Sequence, residues 1–466
     1  MQSEIICISC PVGCVMLVSG DKIMGNQCAA GIKYAKDELT NPTRNITTSV
    51  RVIGGDMPRL SVKTQKPIPK KMIREVIDAI HQITMTAPVE IGDMVLANVA
   101  GTGVDILATR NIYKKENNMD SVKLINDLTS AFGPPGFEDD VVEIAKKYAP
   151  QGYTTSRDSI MNFFMFKENH AKDAPTVLID AHSDEIGLMV QAIRPNGTIV
   201  FHNLGGWVPM ALIAQKMQIK NIDGEYVTGV IAARAPHFGG MNEAPTLGSL
   251  ILDIGAADKA EAEKKYKIAP GCPIVPKVDF EIQGDTMIAK AFDDRIGCAI
   301  VIEALARLKD SDLRVVGALS SQEEVGLRGA KVVANRVAPD FAICLEGAPA
   351  DDTFAEPHLI QTCMGKGPML RHIDGNMIAN PRCVKFVKDI AKKENIPLQE
   401  AVRTMGGTNG GAIQVYGHGV PTIVISCPVR YAHSHHSMIS LSDYKHCVDL
   451  VVAIVRALSG VIISGF

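Results

Sequence analysis

Four short runs of apolar residues form the clearest pattern along the chain. They occupy residues 176–181, 314–321, 341–345 and 422–427. Apolar runs of this length without alternation are typical of strands buried on both faces of a sheet. They predict an open α/β sheet, in which functional groups gather outside the carboxyl ends of the strands.

A different pattern fills residues 188–288. Short alternating runs, such as 197–201 and 217–220, are broken there by Gly and Asn. Alternation is typical of strands with one buried face. This range therefore predicts a small β domain inserted into the α/β sheet.

The sequence also predicts three helices. Asp120 or Ser121 is suited to cap a helix whose apolar positions from 122 to 128 share one face. The charged run 258–265 predicts an exposed helix in which Glu261 and Lys265 form an ion pair. The apolar segment 447–466 contains Asp449 and Arg456, and it predicts a buried terminal helix rather than a membrane span.

These patterns divide the chain into domains. Residues 113–118 are polar and without apolar periodicity, which is typical of a linker. The predicted organisation is an N-terminal domain at 1–115, a linker at 116–120, a catalytic α/β domain at 121–187 and 289–466, and the β insert at 188–288. The chain resembles two complete proteins joined end to end.

Composition narrows the class of protein. Of 466 residues, 46% are hydrophobic and 21% are charged, and the net charge is -3. This balance suits a cytoplasmic enzyme with a large core and gives no electrostatic footprint for nucleic acid. The start of the chain lacks the basic residues of a signal peptide. Seven of the eleven cysteines are scattered through apolar surroundings, as expected of reduced core residues.

The candidate chemistry lies in five short segments, four of which follow the apolar runs, with Glu346 expected at the tip of the strand at 341–345. They hold His182 and Asp184, Asp293 and Asp294, Glu323 and Glu324, Glu346, and His433. Imidazole and carboxylate donors without thiolate suit Zn, Co or Mn. Two such ions roughly 3.5–4 Å apart activate water and polarise a carbonyl. The set predicts metal-assisted hydrolysis.

Local spacing suggests roles for some of these residues. In extended chain Asp184 lies on the same face as His182, so it can hydrogen-bond the second ring nitrogen of a ligating His182. Glu323 and Glu324 are neighbours whose side chains point to opposite sides. One of the two can therefore bind metal while the other acts as general base.

The flanking residues extend this set to a recognisable pattern. The matching phrases are AHSDEIG at 181–187, GGW at 205–207, AFDDR at 291–295, EEVG at 323–326, GGT at 406–408 and RYAHS at 430–434. From about residue 119 to 466 the chain resembles the M42 family of dinuclear-metal aminopeptidases.

The resemblance implies a fold, an activity and a set of ligands. It implies a mixed-sheet zinc-peptidase α/β core that removes N-terminal residues from short peptides, and a homo-oligomer, commonly a dodecamer, assembled through the β insert. His182 and His433 would each bind one metal, and Asp293 would bridge the two ions. Glu324 and Glu346 would complete one site each, with Glu323 as general base and a cis bond between Asp293 and Asp294.

Three positions depart from the family pattern. Glu346 stands where the family mostly has aspartate, and Ser183 replaces a commoner methionine. Thr408-Asn409-Gly410 replaces a more usual Thr-Asp-Ala near the substrate pocket. These changes bear mainly on substrate specificity.

The remaining four cysteines are crowded into the N-terminal domain. Cys7, Cys10, Cys14 and Cys28 have the spacing C-x2-C-x3-C-x13-C. Thiolates select zinc or an iron-sulfur cluster. The bunched first three cysteines favour a cluster, structural zinc is the alternative, and free thiols are the third interpretation.

The same domain resembles a small family of CxxC-containing proteins of uncharacterised function (DUF1667-like). The matching phrases are TTSV at 47–50, PIPK at 67–70 and ATRN at 108–111. The resemblance implies a flavin-dependent oxidoreductase as a partner.

Two further functions compete with the aminopeptidase hypothesis. Paired carboxylates also serve glycoside hydrolysis, and relatives of the family have been labelled endoglucanases. Against this, the chain has one tryptophan and only 5% aromatic residues for stacking sugars. The second alternative is that the N-terminal domain is an electron-transfer module and the peptidase part is inactive.

Overall fold

The computed structural model describes residues 2–20, 22–53, 55, 57–112, 119–238 and 244–466. The chain divides into two compact units, Met1–Asn118 and Met119–Phe466. Residues 116–118 of the predicted linker lie outside the described residues. Each unit is described separately below.

The N-terminal unit consists of short strands and two α-helices over its described residues. They are β1 (Gln2–Ile6), β2 (Val15–Ser19), β3 (Lys22–Met24), α1 (Ala29–Thr40), β4 (Thr43–Arg44), β5 (Thr47–Ile53), β6 (Arg59–Thr64), β7 (Ile68–Pro69), α2 (Ile73–His81), β8 (Thr84–Thr86), β9 (Met94–Leu96) and β10 (Ile106–Ala108). Strands β1, β2 and β3 form an antiparallel sheet. A second sheet has the order β8-β5-β6-β10-β9 and its own apolar core.

The second unit contains the remaining elements. The strands are β11 (Tyr153–Arg157), β12 (Phe163–Lys167), β13 (Thr176–His182), β14 (Gly187–Ile193), β15 (Ile199–Leu204), β16 (Lys216–Lys220), β17 (Tyr226–Ile231), β18 (Leu252–Asp253), β19 (Pro273–Pro276), β20 (Glu281–Gln283), β21 (Thr286–Ala289), β22 (Arg314–Ser320), β23 (Phe341–Pro349), β24 (Met369–Ile373), β25 (Gln399–Val402), β26 (Thr422–Val429) and β27 (Ser437–Ser440). The helices are α3 (Ser121–Ser130), α4 (Asp139–Tyr148), α5 (Pro209–Leu212), α6 (Lys259–Lys264), α7 (Phe292–Arg307), α8 (Arg328–Val337), α9 (Pro381–Lys393), α10 (Asn409–Gln414), α11 (Leu441–Ala457) and α12 (Gly460–Ile463).

An eight-stranded mixed sheet is the centre of this unit. Its order is β11-β12-β22-β13-β23-β26-β24-β25, and the four middle strands β22, β13, β23 and β26 run parallel. These are the four apolar runs of the sequence. Strand β13 is buried at every position, as a strand covered on both faces must be. The α/β fold class predicted from the sequence is confirmed.

Most of the segment between β13 and α7 forms a closed barrel. Strands β14, β15, β18, β17, β16 and β19 close on themselves and enclose a separate apolar core. The barrel follows directly after His182 and Asp184 in the chain. The range 188–288, predicted as an inserted β domain, thus contains most of this barrel, whereas β20 and β21 near its end pair with β27 in a separate sheet.

Several local predictions can be compared with the structure. Asp120 caps α3, since its side chain accepts a hydrogen bond from the backbone N–H of Lys123. Lys265 Nζ lies 2.6 Å from Glu261 Oε1, so the predicted ion pair is present. The terminal helix begins earlier than expected, at Leu441, and it ends at Ala457 before α12. No helix in the described part of the chain combines the length and apolarity needed to cross a bilayer.

Candidate metal centre

The carboxyl ends of the parallel strands bring the candidate residues together. His182 is the last residue of β13, and Glu323 and Glu324 follow β22. His433 follows β26 in a turn where its own φ is 59°. Because β22, β13, β23 and β26 are parallel neighbours, their carboxyl ends meet at one edge of the sheet.

Glu346 is placed differently from the expectation that it stands at a strand tip. Strand β23 continues to Pro349, so Glu346 lies inside the strand, in register with Ser426 of β26. Its side chain still reaches the site, because Glu346 Oε1 lies 3.4 Å from His182 Nε2. The side chain of Glu346, which is longer than that of aspartate, thus reaches the site from within the strand.

Asp293 lies between the two histidines. Its Oδ1 is 3.1 Å from His182 Nε2, and its Oδ2 is 3.4 Å from His433 Nε2. Glu346 approaches the same nitrogen of His182, and Glu324 Oε1 lies 3.5 Å from His433 Nε2. The two oxygens of one carboxylate therefore face two separate groups, each with one imidazole and one further carboxylate.

Asp293 is delivered by the start of α7. The peptide bond between Asp293 and Asp294 is cis, as the family resemblance implies. Asp294 turns away from the cavity and is fully buried, where its carboxylate accepts hydrogen bonds from the backbone N–H groups of His182 and Gly297. Asp294 lies within reach of His182 and Glu346. Each of its oxygens already accepts one of these backbone hydrogen bonds, so Asp294 supports the site rather than offering a free metal ligand.

Asp184 holds two loops together. Its Oδ1 accepts the backbone N–H of Glu323 at 2.9 Å, and its Oδ2 accepts that of Glu324 at 3.1 Å. The closer partner of His182 Nδ1 is the backbone carbonyl of Asp184, at 3.2 Å, and its Oδ1 lies 3.5 Å away. The predicted contact between carboxylate and imidazole is thus the weaker one, and the carboxylate chiefly positions the two glutamates.

Glu138 is a supporting residue that the sequence patterns did not indicate. It is fully buried at the start of α4, and its Oε1 accepts hydrogen bonds from the backbone N–H groups of Gly136 and Gln322. Burial and the nearby charge of Asp184 raise the pKa of Glu138 to about 8. Glu138 fixes Gln322, whose φ is 55°, immediately before the two glutamates.

A buried ion cluster was also missed. Lys290 donates hydrogen bonds to the Ala131 carbonyl at 2.8 Å and to Glu185 Oε2 at 2.6 Å. Arg295 Nη2 lies 3.3 Å from Glu185 Oε1. Burial lowers the pKa of Lys290 to about 8. Glu185 belongs to the matching phrase at 181–187. Its position next to His182 and Asp184 was the sequence signal that could have indicated its importance.

Two glycines allow close approach at the site. A Cβ on Gly347 would lie 2.7 Å from the Phe292 carbonyl oxygen and from Asp293 Cα, so only glycine lets α7 begin against β23. A Cβ on Gly206 would lie 3.2 Å from His433 Nδ1. That nitrogen lies 2.8 Å from the Gly206 carbonyl oxygen, which leaves Nε2 toward Asp293.

Crowded charge shifts the pKa values of the side chains at this site. Burial raises the pKa of Glu324 to about 8, and that of Glu323 well above its usual value. Burial opposes the charged form of His433, but Asp293 and Glu324 raise its pKa to about 10. Burial likewise lowers the pKa of His182, but Asp184, Asp293 and Glu346 outweigh burial and raise that pKa well above its usual value. These raised pKa values mean that bound protons balance the carboxylate charge, a role that divalent cations would take over.

A cavity of about 760 Å³ opens at the cluster. Glu323, Asp293 and both histidines line it, together with Arg371 and the loop from Arg403 to Gly407. The space is large enough for the end of a peptide, since small-molecule sites measure about 300–1,000 Å³.

The residues at 408–410, which depart from the family pattern, lie beneath the cavity. Thr408 Oγ1 donates to Asp374 Oδ2 at 3.2 Å, and Asn409 Nδ2 donates to Asp180 Oδ2 at 2.8 Å. Both residues are buried, and the cavity is lined by the residues just before them. Ser183 is also buried, and its hydroxyl donates to the Ser320 carbonyl.

Loading the metal-free protein with Zn is expected to release protons. His433 and Glu324 are largely protonated near neutral pH, with pKa values of about 10 and about 8, and ligands bind metal in their deprotonated forms. Affinity should therefore rise from about pH 6 to about pH 8. Calorimetry in two buffers of different ionisation enthalpy measures the release. Binding without net proton release near pH 7 would contradict these protonation states.

Comparison with known proteins agrees with this geometry. The family model described as "M42 glutamyl aminopeptidase" matches residues 162–450, and the model "Protein of unknown function (DUF1667)" matches residues 29–110. The glutamyl aminopeptidase of Lactococcus lactis is 31% identical over 73% of this chain and 96% of its own length. The cysteine motif at 7–28 precedes the residues matched by the DUF1667 model.

Solved structures give the same result. The TET aminopeptidase of a marine sediment Thaumarchaeota archaeon is 36% identical, with a TM-score of 0.70, and the match covers 74% of this chain and 98% of that one. The TET1 peptidase of Pyrococcus horikoshii, described as assembling into a tetrahedron or a large octahedral shell, is 28% identical with a TM-score of 0.66 over 73% of this chain and all of its own. With its donor set at the carboxyl edge of the same fold, the chain belongs to the M42 peptidase family.

Proposed function

We propose that the second unit is a metal-dependent aminopeptidase that removes N-terminal residues from short peptides. The observation that carries the proposal is the position of Asp293, whose two oxygens face His182 and His433. One group would comprise His182, Asp293 and Glu346, and the other His433, Asp293 and Glu324. Two imidazoles with carboxylates are a donor set that suits Zn, Co or Mn.

Two divalent ions, when bound, would supply Lewis-acid polarisation of the scissile carbonyl and activation of water. The protein's own residues would keep the donors in place. Asp184 holds the backbone of Glu323 and Glu324, and the Gly206 carbonyl orients the ring of His433. The peptide end would enter the cavity that these residues line.

Glu323 is the proposed general base. Its side chain lines the cavity beside Glu324, and Glu324 is the one that approaches His433. Burial and neighbouring carboxylates raise the pKa of Glu323, which favours a group that both accepts and returns a proton. Glu323 would take a proton from the attacking water and pass it to the leaving amine.

Glycoside hydrolysis is less well supported by the site. The single tryptophan, Trp207, is buried, donates to the Gly187 carbonyl and packs against His435. The described residues that line the cavity include no Phe, Tyr or Trp on which a sugar could stack. An inactive peptidase is also disfavoured, because every proposed donor is present and lies within 3.5 Å of another donor.

The inserted barrel is the proposed surface of homo-oligomer assembly. It exposes several apolar side chains in the described residues, namely Val208, Met210, Ile222 and Phe238. Exposed apolar groups that form a patch mark an interaction surface, and those of the inserted domain are the proposed contact. The assembly described for the TET1 peptidase supports the same proposal, with a dodecamer as the expected size.

Chelation is expected to abolish hydrolysis of aminoacyl-p-nitroanilides, because the proposed ligands act only through bound metal. Addition of Co or Zn is expected to restore hydrolysis. Metal content measured by mass spectrometry should fall and recover in step with turnover. Full activity in a sample free of divalent metal would contradict the proposal.

Glu323→Gln is expected to keep metal but to lower kcat by about 100-fold to 10,000-fold, the usual contribution of general acid-base catalysis. Glu324→Gln provides the contrast, since it should lower metal content as well. Steady-state kinetics beside metal analysis separate the two variants. A Glu323→Gln protein as active as the wild type would place the base elsewhere.

Light scattering on the intact chain is expected to report many subunits. Met210→Glu combined with Phe238→Glu should shift the distribution to smaller species, because charge on an apolar contact opposes association. Val461→Glu is the control, since Val461 is even more exposed but lies outside the inserted domain. A monomer of about 50.1 kDa that still cleaves peptides would contradict the assembly.

A further inference from the structure

The fold of the N-terminal unit brings its four cysteines to one end of a sheet. Strand β1 ends at Ile6, which pairs with Val15 at the start of β2, so the loop from Cys7 to Cys14 connects these ends. Strand β3 runs antiparallel to β2 and pairs Met24 with Leu17. The chain therefore returns to the same end of the sheet shortly before Cys28.

Close packing keeps this return path near the loop. A Cβ on Gly25, where φ is +92°, would lie 2.3 Å from the carbonyl oxygen of Val15, the neighbour of Cys14. Only glycine permits that contact. Cys28 follows three residues later as the N-terminal cap of α1, with an extended backbone and no hydrogen bond from its side chain.

The loop itself is closed and free of competing ligands. The backbone N–H of Cys7 donates to the Cys14 carbonyl at 2.9 Å. Residues 5 to 15 include no His, Asp, Glu, Lys or Arg, and neither do residues 25 to 32. The sulfurs are therefore the only strong metal donors of these two segments.

The four sulfurs differ from those of the second unit. Cys298 Sγ donates to the His182 carbonyl at 3.1 Å, and Cys363 Sγ donates to Asp352 at 3.2 Å. In the described residues no disulfide or hydrogen bond involves the sulfurs of Cys7, Cys10, Cys14 or Cys28. Cys10 and Cys28 are exposed, while Cys7 packs into the small core beneath the sheet.

Sulfur spacing distinguishes the two soft-metal sites. Tetrahedral zinc with Zn–S distances of about 2.3 Å draws its thiolates to about 3.8 Å from one another. Among the described residues, both groups of ligand atoms that converge within 4.8 Å lie at the peptidase centre, and neither contains a cysteine. A [4Fe–4S] cluster binds each of its four thiolates at a different iron, so those sulfurs lie further apart.

We propose that Cys7, Cys10, Cys14 and Cys28 bind an iron-sulfur cluster at this end of the N-terminal unit. The site is independent of the aminopeptidase function. Cys10 and Cys28 place the cluster next to solvent, beside the exposed side chains of Ile8 and Val12. That position suits electron exchange with a partner protein, and the flavin-dependent oxidoreductase implied by the resemblance stays a prediction.

Anaerobic reconstitution of the intact chain with ferrous iron and sulfide tests the proposal. The protein should become brown, with visible absorption that bleaches on reduction, and should hold about four irons with equal acid-labile sulfide per chain. Cys10→Ser and Cys28→Ser should each lose most of this iron and absorption. Cys363→Ser, at a half-exposed cysteine of the second unit, should retain both.

Resistance of residues 1–118 to limited proteolysis shows whether the N-terminal unit of Cys10→Ser and Cys28→Ser has folded, and hydrolysis of an aminoacyl-p-nitroanilide checks the second unit of all three variants. Colourless protein that binds one extra zinc per chain would overturn the cluster in favour of structural zinc. Absence of any metal beyond that of the peptidase centre would overturn the site itself. Full iron retention in Cys10→Ser would overturn this set of ligands.

Discussion

The buried carboxylates around Asp293 impose the constraint on which the site depends. Glu323, Glu324 and Glu346 lie beside it at the edge of the sheet, and burial raises the pKa of all three. Like charges so close together in an apolar setting cannot all ionise without positive charge nearby. Protons supply it in the metal-free protein, and divalent cations would supply it in the working enzyme.

The surrounding fold is arranged to hold that charge at fixed distances. Parallel strands deliver the donors to one edge, and Asp184 ties the end of β13 to the residues after β22 through two backbone hydrogen bonds. Gly347 allows α7 to start against β23, which sets Asp293 between the two histidines. These contacts fix donor atoms before any metal binds, which favours affinity and precise positioning of substrate.

The sequence predicted the strands, the donors and a β insert because each has a local signal, such as an apolar run, a His-x-Asp spacing or alternation, but it did not predict that the insert closes into a barrel. Glu138 and Lys290 were missed, since their importance comes from long-range contacts with Gln322 and Glu185. The role of Asp184 was predicted only in part, because strand geometry places it near His182 but cannot reveal that its carboxylate binds another loop. The extent of β23 past Glu346 likewise depends on pairing with β26.

Anomalous diffraction from crystals loaded with Zn tests the central claim most directly. Two peaks roughly 3.5–4 Å apart are expected, one beside each oxygen of Asp293, with His182 and Glu346 at the first and His433 and Glu324 at the second. Asp293→Asn should reduce the occupancy of at least one peak. A single peak, or two peaks that do not share Asp293, would contradict the account.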